Sequence, residues 1–284
     1  MRFKRLRSTI TFTGYLTGVS ALACASQGLG AENHQIANDP YDGGWHFTLT
    51  PYLWVPGISG DLKFRIPPGA NGSPDVNAGP ADVLGFLNFA FMGAADARKG
   101  NWSAFTDFIY LDLSGNKARV TNITGPGGNL EIPINLDTKV GLSGFVWTGA
   151  ISYSVYHSRK MASDIFVGFR DLSTSPSLDW NFADPSPLLS QSGHLKQHQD
   201  LWDALIGVRG RIGLGNSHWF IPYYGDVGTG ESNFTGQAMG GIGYGFSWGD
   251  LRLVYRYLHY EPGQDKLVER MSVHGLALGM TFHF

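Results

Sequence analysis

The sequence predicts an all-β protein, a transmembrane antiparallel up-and-down β-barrel of ten strands with its termini on the periplasmic side. Three observations carry that prediction. Segments of about ten residues alternate large apolar side chains with small or polar ones, as two-faced strands do. The segments come in pairs joined by very short turns, while the connections between pairs are mostly longer. Finally, the residues on the less apolar face are Arg, Asp, Gly and Ser rather than the Lys and Glu of a soluble surface.

Composition agrees with strands and turns. The 284 residues include 39 Gly, 18 Phe, 12 Tyr and 8 Trp, and only 15% are charged, against roughly 25% in ordinary globular chains. After the first residues no run of about 20 apolar residues occurs, so no helical span is expected.

The start of the chain reads as a removable leader. "MRFKRLRSTITFTGYLTGVSALACASQ" opens with Arg2, Lys4, Arg5 and Arg7, continues through an apolar and small-residue stretch, and reaches Ala23-Cys24-Ala25. Residues 1–25 are assigned as a secretory signal peptide, with cleavage after Ala25 or as late as Ala31. An amphipathic anchor and a lipoprotein at Cys24 are the competing readings, and "ALA" before that cysteine is a poor lipidation box. Cleavage after Ala25 removes the single Cys and leaves 17 Lys+Arg against 23 Asp+Glu, a net charge of −6. An acidic exported chain is a poor candidate for nucleic-acid binding.

The barrel is assigned to residues 44–284. Its first strand is "WHFTLTPYLWVPGISGDLKFRI". Hairpins follow: 83–98 with 101–114 across Lys99-Gly100, 146–156 with 163–172 across "HSRKMA", "WDALIGVRGRIG" with "WFIPYYGDVG" across "LGNSH", and "GQAMGGIGYGFSW" with "LRLVYRYLHY" across Gly249-Asp250. "RMSVHGLALGMTFHF" closes the set. The connections at 67–82, 114–136, 176–198, 230–233 and 261–269 are read as external loops. Alternation of short and longer connections is what short periplasmic turns and longer external loops produce.

Parity assigns the faces. Leu251, Leu253, Tyr255 and Tyr257 point one way, and Arg252, Val254, Arg256 and Leu258 the other. Trp202, Ala204, Ile206, Val208 and Ile212 likewise oppose Asp203, Gly207, Arg209 and Arg211. The apolar face is assigned to lipid, with Trp45, Trp102, Trp219, Trp248, Phe282 and Phe284 as interface anchors beside the short turns. The first strand changes phase at Pro56-Gly57, beyond which Ile58, Leu62, Phe64 and Ile66 are expected outward through a bulge. Pro51 and Pro222 should interrupt their ladders.

The inward face collects a lumen charge network: Asp96, Arg98, Asp107, Arg170, Asp203, Arg209, Arg211, Asp226, Arg252 and Arg256. Two states of the lumen fit this list. Paired charges would plug it, because unpaired ones are costly in a narrow space. Arginines lining water would instead make a thin pore for small polar solutes, with slight anion preference. Ten strands fall well short of the 16–18 that enclose a wide channel.

"TPYLWVPGISGDL", "FMGAADARKGNWSAFTDFIYLDLSG", "GDVG" and "YRYLHY" resemble a group of uncharacterised proteobacterial outer-membrane barrel proteins. That resemblance implies a Gram-negative outer-membrane location and the fold, and no activity. The alternation ending in Phe284 resembles the signal read by the barrel-insertion machinery. Outer-membrane lipid and that machinery are thus the expected partners, with any external partner unknown. In strand number the chain also resembles the omptin proteases, whose resemblance implies acid pairs and a His–Asp pair on the external rim. Here Asp107 lies mid-strand, Asp112 has the opposite parity, and His194, His198 and Asp200 sit in "HLKQHQD". No catalytic set, metal or cofactor is assigned. His194 and His198 would share a face only if that segment were helical. The chain is expected to be a porin-like or plugged barrel rather than an enzyme. Surface recognition through the loops 114–136 and 176–198 is the alternative.

Overall fold

The computed structural model describes residues 39–62, 75–115, 139–181, 192–196, 198–263 and 268–284. The assigned signal peptide, Phe64, Ile66 and most of the longer external connections lie outside the described residues. The chain forms β1 (Trp45–Leu62), β2 (Asp75–Ala78), α1 (Pro80–Phe86), β3 (Leu87–Lys99), β4 (Trp102–Gly115), β5 (Lys139–His157), β6 (Met161–Asn181), β7 (Ser192–Lys196), β8 (Gln199–Gly213), β9 (Trp219–Gly230), β10 (Ser232–Gly245), β11 (Gly249–Pro262) and β12 (Val268–His283). Strands β2 and β7 are short rim pieces. The other ten form a closed antiparallel barrel in which each pairs with its neighbour and β12 returns to β1. The seam is tied at its base by Phe47 and Phe284, which exchange backbone hydrogen bonds of 3.1 and 2.9 Å.

The outer wall is apolar and the interior is not uniformly so. Val167 is 61% exposed and Ile206 60%, and Leu53, Ile151, Ile165, Val227, Leu276 and Leu278 are exposed with them. The inward neighbours Arg170, Asp203, Asp226 and Arg256 are buried. The tight turns form where the backbone permits them: Gly100 adopts φ 57° between β3 and β4, a left-handed conformation open to glycine.

The last short turn falls at residues 246–248 rather than at Gly249-Asp250, which open β11 and pair with β12, and four larger expectations change. The first is the phase slip at Pro56-Gly57, which does not occur: β1 pairs with β12 in one register through that point and shifts only between Asp61 and Leu62. Ile58 instead stands opposite Val273 and packs inward against the buried cluster that includes Trp54. The change in sequence pattern marks a change in the lumen, from polar to apolar filling, and not a bulge. Second, residues 83–86 belong to helix α1 rather than to a strand. Pro80 opens the helix, the Asp82 carboxylate accepts the Gly79 N–H at 3.0 Å, and these start signals outweigh the short apolar alternation. Third, 176–198 is partly sheet, because β6 continues to Asn181 and β7 folds back onto it. Fourth, the connection at 230–233 shrinks to Glu231 alone between β9 and β10. The ladders do lapse beside both prolines: β1 parts from β3 after Pro51, and the β9–β10 pairing skips from Tyr223 to Phe220 across Pro222.

Glycine also makes room inside. A Cβ at Gly207 would lie 2.4 Å from the Phe166 ring, which is buried between Phe105 and Tyr224. Gly207→Ala should therefore lower stability by about 1–3 kcal/mol through overpacking. Urea unfolding of the detergent-solubilised barrel, followed by Trp fluorescence, would show an unchanged midpoint if the slot were not tight.

Candidate functional site

The lumen is filled in layers by side chains from opposite walls. At the turn end, Arg98 on β3 pairs with Asp164 on β6, and Arg209 on β8 pairs with Asp96 on β3. Arg209 also donates to Ser103 at 2.8 Å and Ser152 at 3.2 Å, and its guanidinium lies 3.9 Å from the centroid of Phe105. Tyr41, stacked on His157 at 4.2 Å, sits under Arg98 and brings the segment before β1 across this mouth. On the far side Asp250 accepts from Arg252 at 2.9 Å and contacts His283 at 3.2 Å. In the same segment, before β1, the Asp42 carboxylate is held below its ordinary pKa by its hydrogen bond with His46, and then by that from the Gly44 N–H.

Two networks occupy the middle. Arg170, 0% exposed, forms a two-pronged pair with Asp226 and donates to Thr148 and Thr235, both at 3.3 Å. Tyr224 donates its hydroxyl to the same Asp226 at 2.6 Å. Arg256 on β11 reaches Asp107 on β4 at 2.6 Å, almost directly across the barrel. It also donates to Gln237 at 2.8 Å and to the Tyr52 hydroxyl at 3.0 Å, while Tyr52 donates to Asp107 at 2.6 Å. Planar, bidentate guanidinium geometry suits such cross-links.

An apolar layer adjoins these networks. Trp54, Met92, Ile109, Leu172, Leu201, Val254, Leu258, Tyr260, Val273 and Ala277 form one buried cluster. Trp54 joins the two kinds of layer, since the Arg256 guanidinium lies 5.1 Å from its ring centroid.

Each residue assigned to the network from sequence can now be located. Asp96, Arg98, Asp107, Arg170, Asp226, Arg209, Arg252 and Arg256 all lie inward with partners of opposite charge. Asp203 is inward but takes no arginine among the described residues, and one of its oxygens accepts the Ser232 N–H at 2.8 Å. Arg211 stays at the mouth, 5.5 Å from the Phe220 ring centroid. Sequence reasoning missed Asp164 and Asp250. Asp164 shares the parity of Arg170 and was therefore legible, while Asp250 looked like a turn residue. With both added, Arg98, Arg170, Arg209, Arg211, Arg252 and Arg256 face Asp96, Asp107, Asp164, Asp203, Asp226 and Asp250 among the described residues. The excess of two arginines disappears.

Outside, the aromatics include two larger groups, beside smaller contacts such as those of Phe108 with Phe91 and Phe145 and of Trp102 with Tyr153. Trp219, Tyr244, Phe246, Trp248 and Phe282 make a continuous string near the short turns, with centroid spacings of 4.9–5.6 Å. Trp147, Phe169 and Trp202 cluster on the other half of the wall, with spacings of 4.9–6.3 Å. Beyond this second group the outer face turns polar. A cavity of about 280 Å³ is lined there by Asp112, Ser114, Ser143, Ser175, Ser177, His194 and Lys196, among others. His198 bridges Ser175 at 2.9 Å and Asp200 at 3.2 Å. The segment of His194 is a strand, so the two histidines do not share a helix face. Among the described residues no group of three or more acidic, His or Cys side chains forms a metal cage.

This geometry defines a class, a closed ten-strand antiparallel barrel of inverted polarity, the class to which transmembrane β-barrels belong. No protein-family model matches the chain and no curated protein matches its sequence. Solved structures that match include the outer membrane protease OmpT of Escherichia coli, at 7% identity and a TM-score of 0.45, covering 86% of this chain and 98% of that one. The attachment invasion locus protein Ail of Yersinia pestis matches at 7% identity and a TM-score of 0.36, covering 85% and 99%. The toluene transporter TodX of Pseudomonas putida matches at 10% identity and a TM-score of 0.29, covering 89% and 93%. Scores below one half carry no functional meaning for this chain.

Proposed function

We propose that the protein is an integral outer-membrane barrel with a plugged lumen, anchored in lipid by its aromatic side chains. The observation that carries this reading is the Arg256–Asp107–Tyr52 bridge, which crosses the lumen beside the apolar layer around Trp54. A membrane location is supported by the exposed aliphatic wall between two aromatic groups. Trp45, Trp102, Trp219, Trp248, Phe282 and Phe284 are read as anchors at the turn-end interface. Such a barrel works through its wall and its rim, and its interior holds the strands in register.

Planar-bilayer recording tests the plug. The wild-type protein should show no resolved unitary conductance, and the double variant Arg256→Ala, Asp107→Ala should show small, steady steps. Steady wild-type steps would restore the pore reading.

One observation favours recognition by the external rim as a second reading. Strands β5 and β6 have 19 and 21 residues, whereas a barrel strand crosses a bilayer in about 9–11. The excess in β6 is about ten residues, or roughly 30 Å of strand along its axis, and the rim cavity lies on this raised wall. Shortening 116–138 and 182–191 would abolish partner binding under that reading and leave conductance unchanged.

A further inference from the structure

One carboxylate breaks the polarity of the outer wall. Asp171 on β6 is paired with Trp147 on β5 and Trp202 on β8, so it shares the outward face of exposed Val167. Yet it is only 5% exposed. These two cross-strand neighbours carry indoles 6.3 Å apart, both packed on Phe169. Its Oδ1 is buried with no hydrogen-bond partner, which is costly for a carboxylate unless something compensates.

The surroundings add negative charge. Asp200 stands opposite Ser173 in the β6–β8 ladder, so Asp200 and Asp171 are diagonal neighbours on one face. Glu231 is a further charged neighbour of Asp171, and one of its carboxylate oxygens accepts the backbone N–H of Trp202 at 3.3 Å. Neither Asp171 nor Asp200 pairs with a lysine or arginine among the described residues, and Asp200 has only His198. Crowded like charges are costly, and a nearby opposite charge offsets that cost.

We propose that Asp171 and Asp200 hold a hydrated divalent cation of the Mg²⁺ or Ca²⁺ class on the outer face, beside the Trp147–Phe169–Trp202 group. Hard cations take carboxylate oxygens, and Mg²⁺ commonly binds through one or two carboxylates while keeping several waters. That mode needs only one or two carboxylates, and the described side chains form no cage of three or more ligands. The cation neutralises a carboxylate that otherwise faces the lipid-side wall unpaired. The site is independent of the lumen, so its failure would leave the plugged-barrel reading untouched.

Terbium provides the test, because Trp147 and Trp202 can sensitise the emission of a bound lanthanide. The full-length folded barrel in neutral detergent is titrated with Tb³⁺ under indole excitation, then with Ca²⁺ as competitor. Saturable emission that Ca²⁺ displaces is expected. Asp171→Asn and Asp200→Asn should each raise half-saturation by about tenfold or more, as loss of one of two anionic ligands requires. Glu261→Gln, which alters a carboxylate on β11 that lies 3.7 Å from Arg270, should change nothing. Asp200 is half exposed, so its variant keeps the test valid should Asp171→Asn fold poorly, and heat-modifiable gel mobility reports folding for each. Absent emission, or emission unchanged in the folded variants, would mean an adventitious ion only and would overturn the site.

Discussion

Asp226→Ala is expected to lower the stability of the folded barrel by about 3–5 kcal/mol, the cost of stranding a buried charge. Arg170 and Asp226 are both fully buried, and among the described residues each is the other's only ionic partner. Truncating the aspartate leaves the guanidinium with Thr148 and Thr235, neither of which carries charge. It also removes the acceptor of the Tyr224 hydroxyl. The control is a variant that removes the whole network, Arg170→Met with Asp226→Leu and Tyr224→Phe. Replacing a buried pair by packed apolar side chains is often neutral or stabilising, so the triple variant should recover most of the loss. Urea titrations in detergent, with heat-modifiable mobility as a second reading, measure both. If Asp226→Ala and the triple variant unfolded together, the ion pair would not be the reason for the loss.

Ile206→Arg should destabilise the inserted barrel by roughly 2–4 kcal/mol, the penalty for a cation on the lipid face near the bilayer midplane. Ile206 is outward on β8, in register with exposed Val167 and Val227. Ser175→Arg makes a similar change on the outer face, beyond the Trp147 group, where serines and His198 already meet solvent. That substitution should be close to neutral. Comparing the two in lipid-vesicle folding assays gives a depth profile of the wall. Equal penalties, or none for Ile206→Arg, would remove the lipid-facing assignment.

Much of the barrel is legible without coordinates because strands have a period of two. Trp202, Ile206 and Val208 against Asp203 and Arg209 can be sorted by parity alone, and the solvent that each face meets follows from the residue types. The short turns are equally local in kind, although the structure moves two of them by a residue or more, to Gly100-Asn101 and to residues 246–248. Where two local signals compete, parity fails. Residues 83–86 alternate weakly but follow Pro80 and Asp82, and helix α1 forms. At Pro56-Gly57 the polarity pattern inverts although the strand does not, because the lumen itself changes character at that height.

The sequence by itself determined the inverted polarity, the ten barrel strands, and the inward placement of both arginines and aspartates. Those properties depend on alternation and composition, which act over a few residues. Only the tertiary structure decided which charge meets which. Arg256 and Asp107 are separated by 149 positions and meet because closure of the sheet sets their strands on opposite walls at one height. The same closure turns Trp54 and Val254 into a packed layer and brings Asp164 to Arg98, while strand register sets Asp171 between two tryptophans on neighbouring strands. Register and closure are properties of the whole ring, and no local window of the chain contains them.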